Sequence, residues 1–286
     1  MHPYLLTPIR RIVRRIARRK IPQYFKDTPI IISTNKSDII VSLTSFPARI
    51  HEVHLVIQCM LRQTVSPHKI ILWLSRDQFE GIQLPDDLTS LQNEIFNIRF
   101  VDGDIRSHKK YFYVLSEFPE NKILIVDDDL YYPTDMLEIM SNISNLMPDT
   151  IICRYGSIMQ FKKGHILPYN DWWSEISDES DNPNFFFGSG GGILLTRKML
   201  YNDALNINLA QKLTPLADDV WLNAMINLAK TPKYKVKFGI FMSIQEDVAY
   251  KLSDENVANN KNDIQIENLI TYYKKKNLNP FIEKIN

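Results

Sequence analysis

The residues best placed to do chemistry in this chain are five carboxylates in two tight groups. Asp127-Asp128-Asp129 directly follows the apolar run Ile123-Leu-Ile-Val126, and Asp218-Asp219 opens an apolar segment of helical character. Three successive acids repel one another unless a cation or hydrogen-bond donors relieve them. A hard divalent cation shared with substrate phosphates does so with oxygen ligands alone. In extended backbone Asp127 and Asp129 project to one side, which suits a metal and a nucleotide, and Asp128 faces away. A solvated acidic loop, or Asp129 capping a helix after Pro133, uses the same residues. For Asp218 and Asp219, capping of a helix start alone also selects an Asp.

A second cluster is Gly188-Ser-Gly-Gly-Gly192, which holds four of the nine glycines. Such crowding permits positive φ and close approach of backbone to a ligand, or simply a tight turn. Trp172, Trp173 and Phe185–Phe187 flank it; aromatic faces suit sugar C–H surfaces and serve equally as core.

The elements that must position these groups follow from hydrophobic pattern. Ile39–Leu43, Ile70–Leu74, Ile98–Val101 and Ile123–Val126 are short apolar runs whose starts are 31, 28 and 25 residues apart. Segments between them, such as Val53–Arg62 and Tyr111–Phe118, have helical character. This alternation predicts βαβ units and a mostly parallel sheet. Runs apolar throughout fit strands buried on both faces. Residues 134–146 continue as a helix, Ile151–Arg154 and Ile193–Thr196 as strands, and Asp218–Ala229 as a helix, with 160–187 irregular. In such a sheet ligands bind beyond the carboxyl ends of the strands, where Asp127–Asp129 falls.

The 286 residues suffice for one large domain, and no apolar run is long enough for a membrane-spanning helix. Cys59 and Cys153 sit among apolar neighbours without metal-ligand spacing, which fits a reducing compartment. The net charge of +1 hides an asymmetry. Residues 1–26 hold eight basic and no acidic residues, so the remainder, with 26 basic and 33 acidic, carries −7. Leu5, Ile9, Ile12, Val13 and Ile16 recur at helical spacing, with arginines on the other face and Pro22 ending the pattern. A basic amphipathic helix of this kind suits an anionic membrane surface. A helix docked on its own domain fits the same pattern, and so, less well, does nucleic-acid binding. The chain then divides into the helix 1–26, a linker 27–37, and an α/β domain 38–286 with a first half 38–130 and a second half 131–286.

A strand ending in Asp127-x-Asp129 near the middle of an α/β domain resembles the DXD motif of GT-A glycosyltransferases. Other segments agree in order along the chain: Ser42-Leu-Thr-Ser-Phe-Pro-Ala-Arg49, Trp73-Leu-Ser75, Ser107-His-Lys-Lys110, Gly188–Gly192 and Ala217-Asp-Asp-Val-Trp221. Over residues 38–230 the chain is similar to bacterial family-2-like members of that group. The resemblance implies a Rossmann-like GT-A domain and a nucleotide-sugar donor, with UDP favoured. It also implies Mn²⁺ or Mg²⁺ on Asp127 and Asp129, offsetting charge on the departing diphosphate. Thr44, Ser45, Arg49, Lys109, Lys110, Asp127 and Asp128 would contact the donor. Gly190, Gly191, Trp172 and Trp173 would lie on the acceptor side. Asp219 would be the base of an inverting reaction and Asp218 a supporting acceptor contact. The acceptor would be a saccharide or lipid-linked saccharide in bacterial surface-glycan synthesis. The enzyme would sit on the cytoplasmic face of the inner membrane and bind no nucleic acid. One departure is that no His follows His165; the tail Asn259–Asp263 would close over the diphosphate or form a polar loop. A phosphohydrolase of the haloacid-dehalogenase type, or a catalytically inactive GT-A-like scaffold, are the alternative readings.

Overall fold

The computed structural model describes residues 3–172, 179–237, 242–244 and 260–283, with side chains from residue 12 onward. Its centre is a seven-stranded sheet in the order β12-β6-β11-β4-β1-β2-β3. Along the chain these are β1 (Ile40–Thr44), β2 (Lys69–Ser75), β3 (Phe96–Val101), β4 (Ile123–Ile125), β6 (Ile151–Cys153), β11 (Ile193–Leu195) and β12 (Lys233–Lys235). All neighbours are parallel except β11, which runs antiparallel to both β4 and β6. The fold is therefore the expected α/β class with a mostly parallel, Rossmann-like sheet. Strand β12 was not foreseen, because its sequence Lys-Tyr-Lys has no apolar run.

Alternate side chains of each strand enter two different apolar layers. Ile40, Ile71, Ile123 and Ile125 face one side with Tyr111 and Trp221; Val41, Ile70, Leu72 and Leu124 face the other with Val56 and Leu137. A strand buried on both faces has no polar side to alternate with, which is why these runs read as continuous apolar. The helices covering the sheet include α2 (Val53–Leu61), α4 (Lys109–Glu117), α5 (Met136–Leu146) and α7 (Asp218–Ala229).

Three short ribbons lie outside the sheet. They pair β5 (Leu130–Tyr131) with β13 (Met242–Ser243), β7 (Gly156–Ile158) with β10 (Phe185–Phe187), and β8 (Phe161–Lys162) with β9 (His165–Ile166). Helix α1 runs from Pro3 to Asp27, so Pro22 lies inside it rather than ending it. Residues 27–37 lie along the domain: Ser33 Oγ donates to the Thr64 carbonyl and Ser37 N to that of Ser66. Further α-helices among the described residues are α3 (Asp86–Thr89), α6 (Ile207–Leu213) and α8, the helix Lys261–Lys274.

The order β3-β2-β1-β4 reverses direction between β1 and β4. Such a reversal opens a crevice at the carboxyl ends of those two strands. Ser45 follows one of these ends and Asp127 the other.

Candidate active site

Beyond β4 the chain makes a turn, and its three acids part company. Asp128 is buried, accepting from Ser45 Oγ at 2.6 Å and from Arg49 at 2.9 Å. The same guanidinium nitrogen lies 3.0 Å from Asp129. Asp127 accepts from Lys110 Nζ at 2.8 Å, and its own N–H donates to the Tyr132 hydroxyl at 2.9 Å. The bend after β4, rather than an extended alternation, sends Asp128 into the β1 loop and leaves Asp127 and Asp129 half-buried at the crevice, with Arg49 spanning Asp128 and Asp129. Asp129 caps no helix, since α5 begins only at Met136 with Asp135 before it.

Lys110 is the hub. Its buried ammonium donates to Asp127 and to Ser189 Oγ at 2.6 Å, and lies 2.9 Å from Asp218 Oδ2. Burial works against its charge, but Asp127, Asp218 and Asp219 hold its pKa well above the usual lysine value. Lys109 takes a different direction, because consecutive helical residues do not share a face. It is buried and paired with Asp104, away from the carboxylate groups. Neither lysine is the solvated helix residue that a surface position would give. His108, just before them, is buried too, bridging the Thr214 carbonyl and the Tyr111 hydroxyl. Burial lowers its pKa, so it is a neutral packing histidine.

Asp218 and Asp219 are the first two residues of α7, and the position before them, Ala217, offers no side-chain cap. They turn to the crevice instead. Asp218 is buried on Lys110; burial alone would raise its pKa, but Lys110 brings it below the usual value. Asp219 accepts from the Ser189 N–H at 3.0 Å. Burial, then the neighbouring Asp218, pushes Asp219 up to about 7.

The glycine cluster is the floor between the two acid groups. A Cβ at Gly190 would stand 2.6 Å from Asp127 Oδ2, one at Gly191 2.4 Å from Tyr155 Cβ, and one at Gly192, where φ is +96°, 2.2 Å from Met136 Cε. The glycines are there because backbone packs against side chains on several sides. Tyr132 pins this floor, donating to the Gly190 carbonyl at 2.6 Å. Tyr132 and Ser189 join the candidate site without having been singled out from the sequence; Ser189 lay inside the quoted glycine cluster and Tyr132 three residues beyond Asp129.

Three expected donor or acceptor contacts are otherwise engaged. Thr44 Oγ1 donates to the Trp73 carbonyl at 2.7 Å, and Ser45 serves Asp128. Trp172 is a core residue rather than an acceptor platform: it is buried against Tyr169 and Phe186, and its indole N–H donates to the Leu167 carbonyl at 3.0 Å. Trp173 and Asn259 lie outside the described residues. Asp263, in the first turn of α8, accepts from the Tyr169 N–H at 2.7 Å.

The crevice suits a hard cation. Asp127, Asp128, Asp129, Asp218 and Asp219 face only Arg49 and Lys110 as cationic partners in the ion pairs described. Burial, then the neighbouring charges of Asp127 and Asp128, push Asp129 up to about 7, against the opposing effect of Arg49 and Lys110. Among the described residues no three His, Cys, Asp or Glu side chains converge as a metal cluster. Asp127 and Asp129 are the protein's available pair, and further ligands would come from phosphate or water.

No protein-family model matches this chain, and no curated protein matches it. Among solved structures it is similar to the mannosyltransferase PcManGT from Pyrobaculum calidifontis, in complex with GDP-Man and Mn²⁺. The identity is 10% and the TM-score 0.47, covering 96% of this chain and 74% of that one. It is also similar to HddC from Yersinia pseudotuberculosis, at 13% identity and TM-score 0.35, covering 56% of this chain and 76% of that one.

Proposed function

We propose that this chain is a metal-dependent, GT-A-type glycosyltransferase that moves a sugar from a nucleotide-sugar donor to an acceptor hydroxyl. The observation that carries the reading is one crevice, at the carboxyl ends of β1 and β4. It sets Asp127 and Asp129 on one side of the Gly188–Gly192 turn and Asp219 on the other, with Lys110 joining the two.

A divalent ion on Asp127 and Asp129 would offset charge on the departing nucleoside diphosphate. The residues do the rest. Arg49 and Ser45 hold Asp128 and thereby fix the turn that presents its two neighbours. Lys110 holds Asp127 and Asp218 in place and favours the ionised form of Asp218. Asp219, with a pKa of about 7, is matched to accept a proton near neutral pH. In an inverting reaction the acceptor oxygen bonds to the anomeric carbon as the bond to the diphosphate breaks. The hydroxyl proton passes to Asp219. The finer reading keeps UDP as the favoured nucleotide and a saccharide or lipid-linked saccharide, in bacterial surface-glycan synthesis, as the acceptor.

Calorimetric titration of UDP, GDP and CDP, each with and without Mn²⁺, tests this on the wild type and on Asp129→Ala. Metal-dependent binding of one nucleotide, lost in the variant, is expected. No nucleotide binding by folded protein would overturn the reading; release of phosphate from simple esters would then make it a phosphohydrolase.

A further inference from the structure

Helix α1 has two unlike faces. Toward the domain it sets Ile21 and Phe25, which pack on the apolar layer containing Val41 and Val56. Arg18 on the same side donates to the Ser243 carbonyl at 3.2 Å and its hydroxyl at 3.0 Å. Arg62 of α2 closes this seat, donating to the carbonyls of Phe25 and Thr28 and lying over the Phe25 ring. Ile12 and Ile16 each precede one of the seated pair, Ile21 and Phe25, by nine residues. At ~100° per residue that is half a turn out of phase, so they stand on the opposite side.

There Ile12 is 60% and Ile16 55% exposed, and Val13 and Tyr24, elsewhere on the helix, are exposed too. Ile31 and Ile32, just beyond the helix, are exposed as well. Of eleven large hydrophobic residues exposed among the described ones, six lie between positions 12 and 32. Scattered exposed apolar residues need no explanation, but a grouping of them marks an interaction surface. The same helix exposes Arg15, Arg19, Lys20 and Lys26, in an arm without an acid, on a body of net negative charge. An anionic partner follows from the charges alone. Of anionic partners, a lipid surface is the one that also takes up isoleucines, its acyl boundary receiving them while phosphates pair with the arginines.

We propose that α1 docks this protein on an anionic lipid surface through the face carrying Ile12 and Ile16, while Arg18, Ile21 and Phe25 keep it seated on the domain. The domain is then held in one orientation rather than on a tether. The seat also lies close to the crevice: Ser243, which receives Arg18, ends β13, and the next residue, Ile244, donates its N–H to the Asp129 carbonyl at 2.8 Å. The docking inference does not depend on the transfer reaction.

Co-sedimentation of the full-length protein with phosphatidylcholine vesicles, with and without phosphatidylglycerol, tests it. Binding roughly tenfold or more tighter to the phosphatidylglycerol vesicles, weakening as salt rises, is expected. Ile12→Glu/Ile16→Glu and Arg15→Glu/Arg19→Glu should each cut that binding by about tenfold or more. Their melting temperatures and nucleotide binding should stay at wild-type values, because all four side chains are exposed. Equal sedimentation with both vesicle types, or equal binding by wild type and variants, would overturn the proposal. So would tighter binding to a DNA duplex, or a wild-type dimer that the isoleucine variant dissociates.

Discussion

Lys110 Nζ lies 2.9 Å from Asp218 Oδ2, and this single contact ties the first turn of α4 to the first turn of α7. The same ammonium holds Asp127 at the end of β4, so one buried cation joins three elements around the crevice. Removing one partner of a buried pair strands the other in a medium that solvates charge poorly. Lys110→Met should therefore cost about 3–5 kcal/mol in urea unfolding. Lys110→Arg keeps the charge but not the compact geometry, and should cost less. A Met variant as stable as wild type would mean that the lysine does not hold the crevice together.

The two neighbours Asp128 and Asp129 should respond in opposite ways. Asp128→Asn weakens the clamp on Ser45 and Arg49, so a loss of about 1–3 kcal/mol is expected. Asp129→Asn removes a repelled charge. Its metal-free melting temperature at pH 8 should rise above that of the wild type, while the increase produced by Mn²⁺ disappears. Melting curves with and without Mn²⁺ separate the two, and a matching fall in both variants would contradict the assignment.

Asp219 should make both activity and stability depend on pH. Its native pKa of about 7 lies above that of an unfolded Asp, near 4. The native state thus holds a proton that the unfolded chain has already lost. The stability this contributes is fully present below about pH 4 and is lost as the pH rises through about 7. The metal-free melting temperature should fall across that interval, and less so in Asp219→Asn. The base form appears in the opposite sense: kcat/KM should climb about tenfold per pH unit below about 7 and level off above it. A profile flat from pH 5 to 8, roughly the span over which a single carboxylate this shifted must titrate, would exclude Asp219 as the base.

Gly190 should be a functional rather than a stability position. A methyl group there meets Asp127 Oδ2 at 2.6 Å, and that carboxylate is half-exposed and can swing aside. Gly190→Ala should reduce metal-dependent nucleotide binding by about tenfold or more while unfolding shifts by about 1 kcal/mol or less. Gly192→Ala adds backbone strain at φ +96° and a clash with Met136, and should cost roughly 1–3 kcal/mol. Loss of binding only in proportion to unfolded protein would remove the distinction.

Trp172 should behave as core. Trp172→Ala should destabilise by about 3–5 kcal/mol, and the protein that remains folded should keep the wild-type KM for its acceptor. A raised KM at unchanged stability would restore it to the acceptor side.

Six of the seven central strands were legible as largely apolar runs: β1, β2, β4, β6 and β11 are buried on both faces, while the edge strand β3 is only partly buried and carries Asn97 and Arg99. Strand β12 was invisible for the complementary reason: Lys233 donates to the Phe185 carbonyl and to Asn227, so its lysines are buried by satisfied hydrogen bonds rather than by apolar character. Pro22 misled because a proline breaks a helix only on average, and here α1 continues for five more residues to Asp27.

What the amino-acid order determined by itself is local: which runs become strands, that three acids follow one of them, and that consecutive side chains diverge. Helical phase alone separates Lys109 from Lys110, whereas the bend after β4, not strand alternation, puts Asp128 and Asp129 on one guanidinium and Asp127 on Lys110. Only the tertiary structure decided which distant groups meet. The crevice exists because β4 pairs with β1, and β11 enters antiparallel beside β4. That placement brings Ser189 and Asp219 to within reach of Lys110, across 79 and 109 residues of chain. It also sends Trp172 into the core, though its neighbourhood in the sequence is as aromatic as that of a sugar platform. Burial and charge pairing are sums over such neighbours, so the raised pKa values of Asp129 and Asp219 belong to the fold and not to any motif.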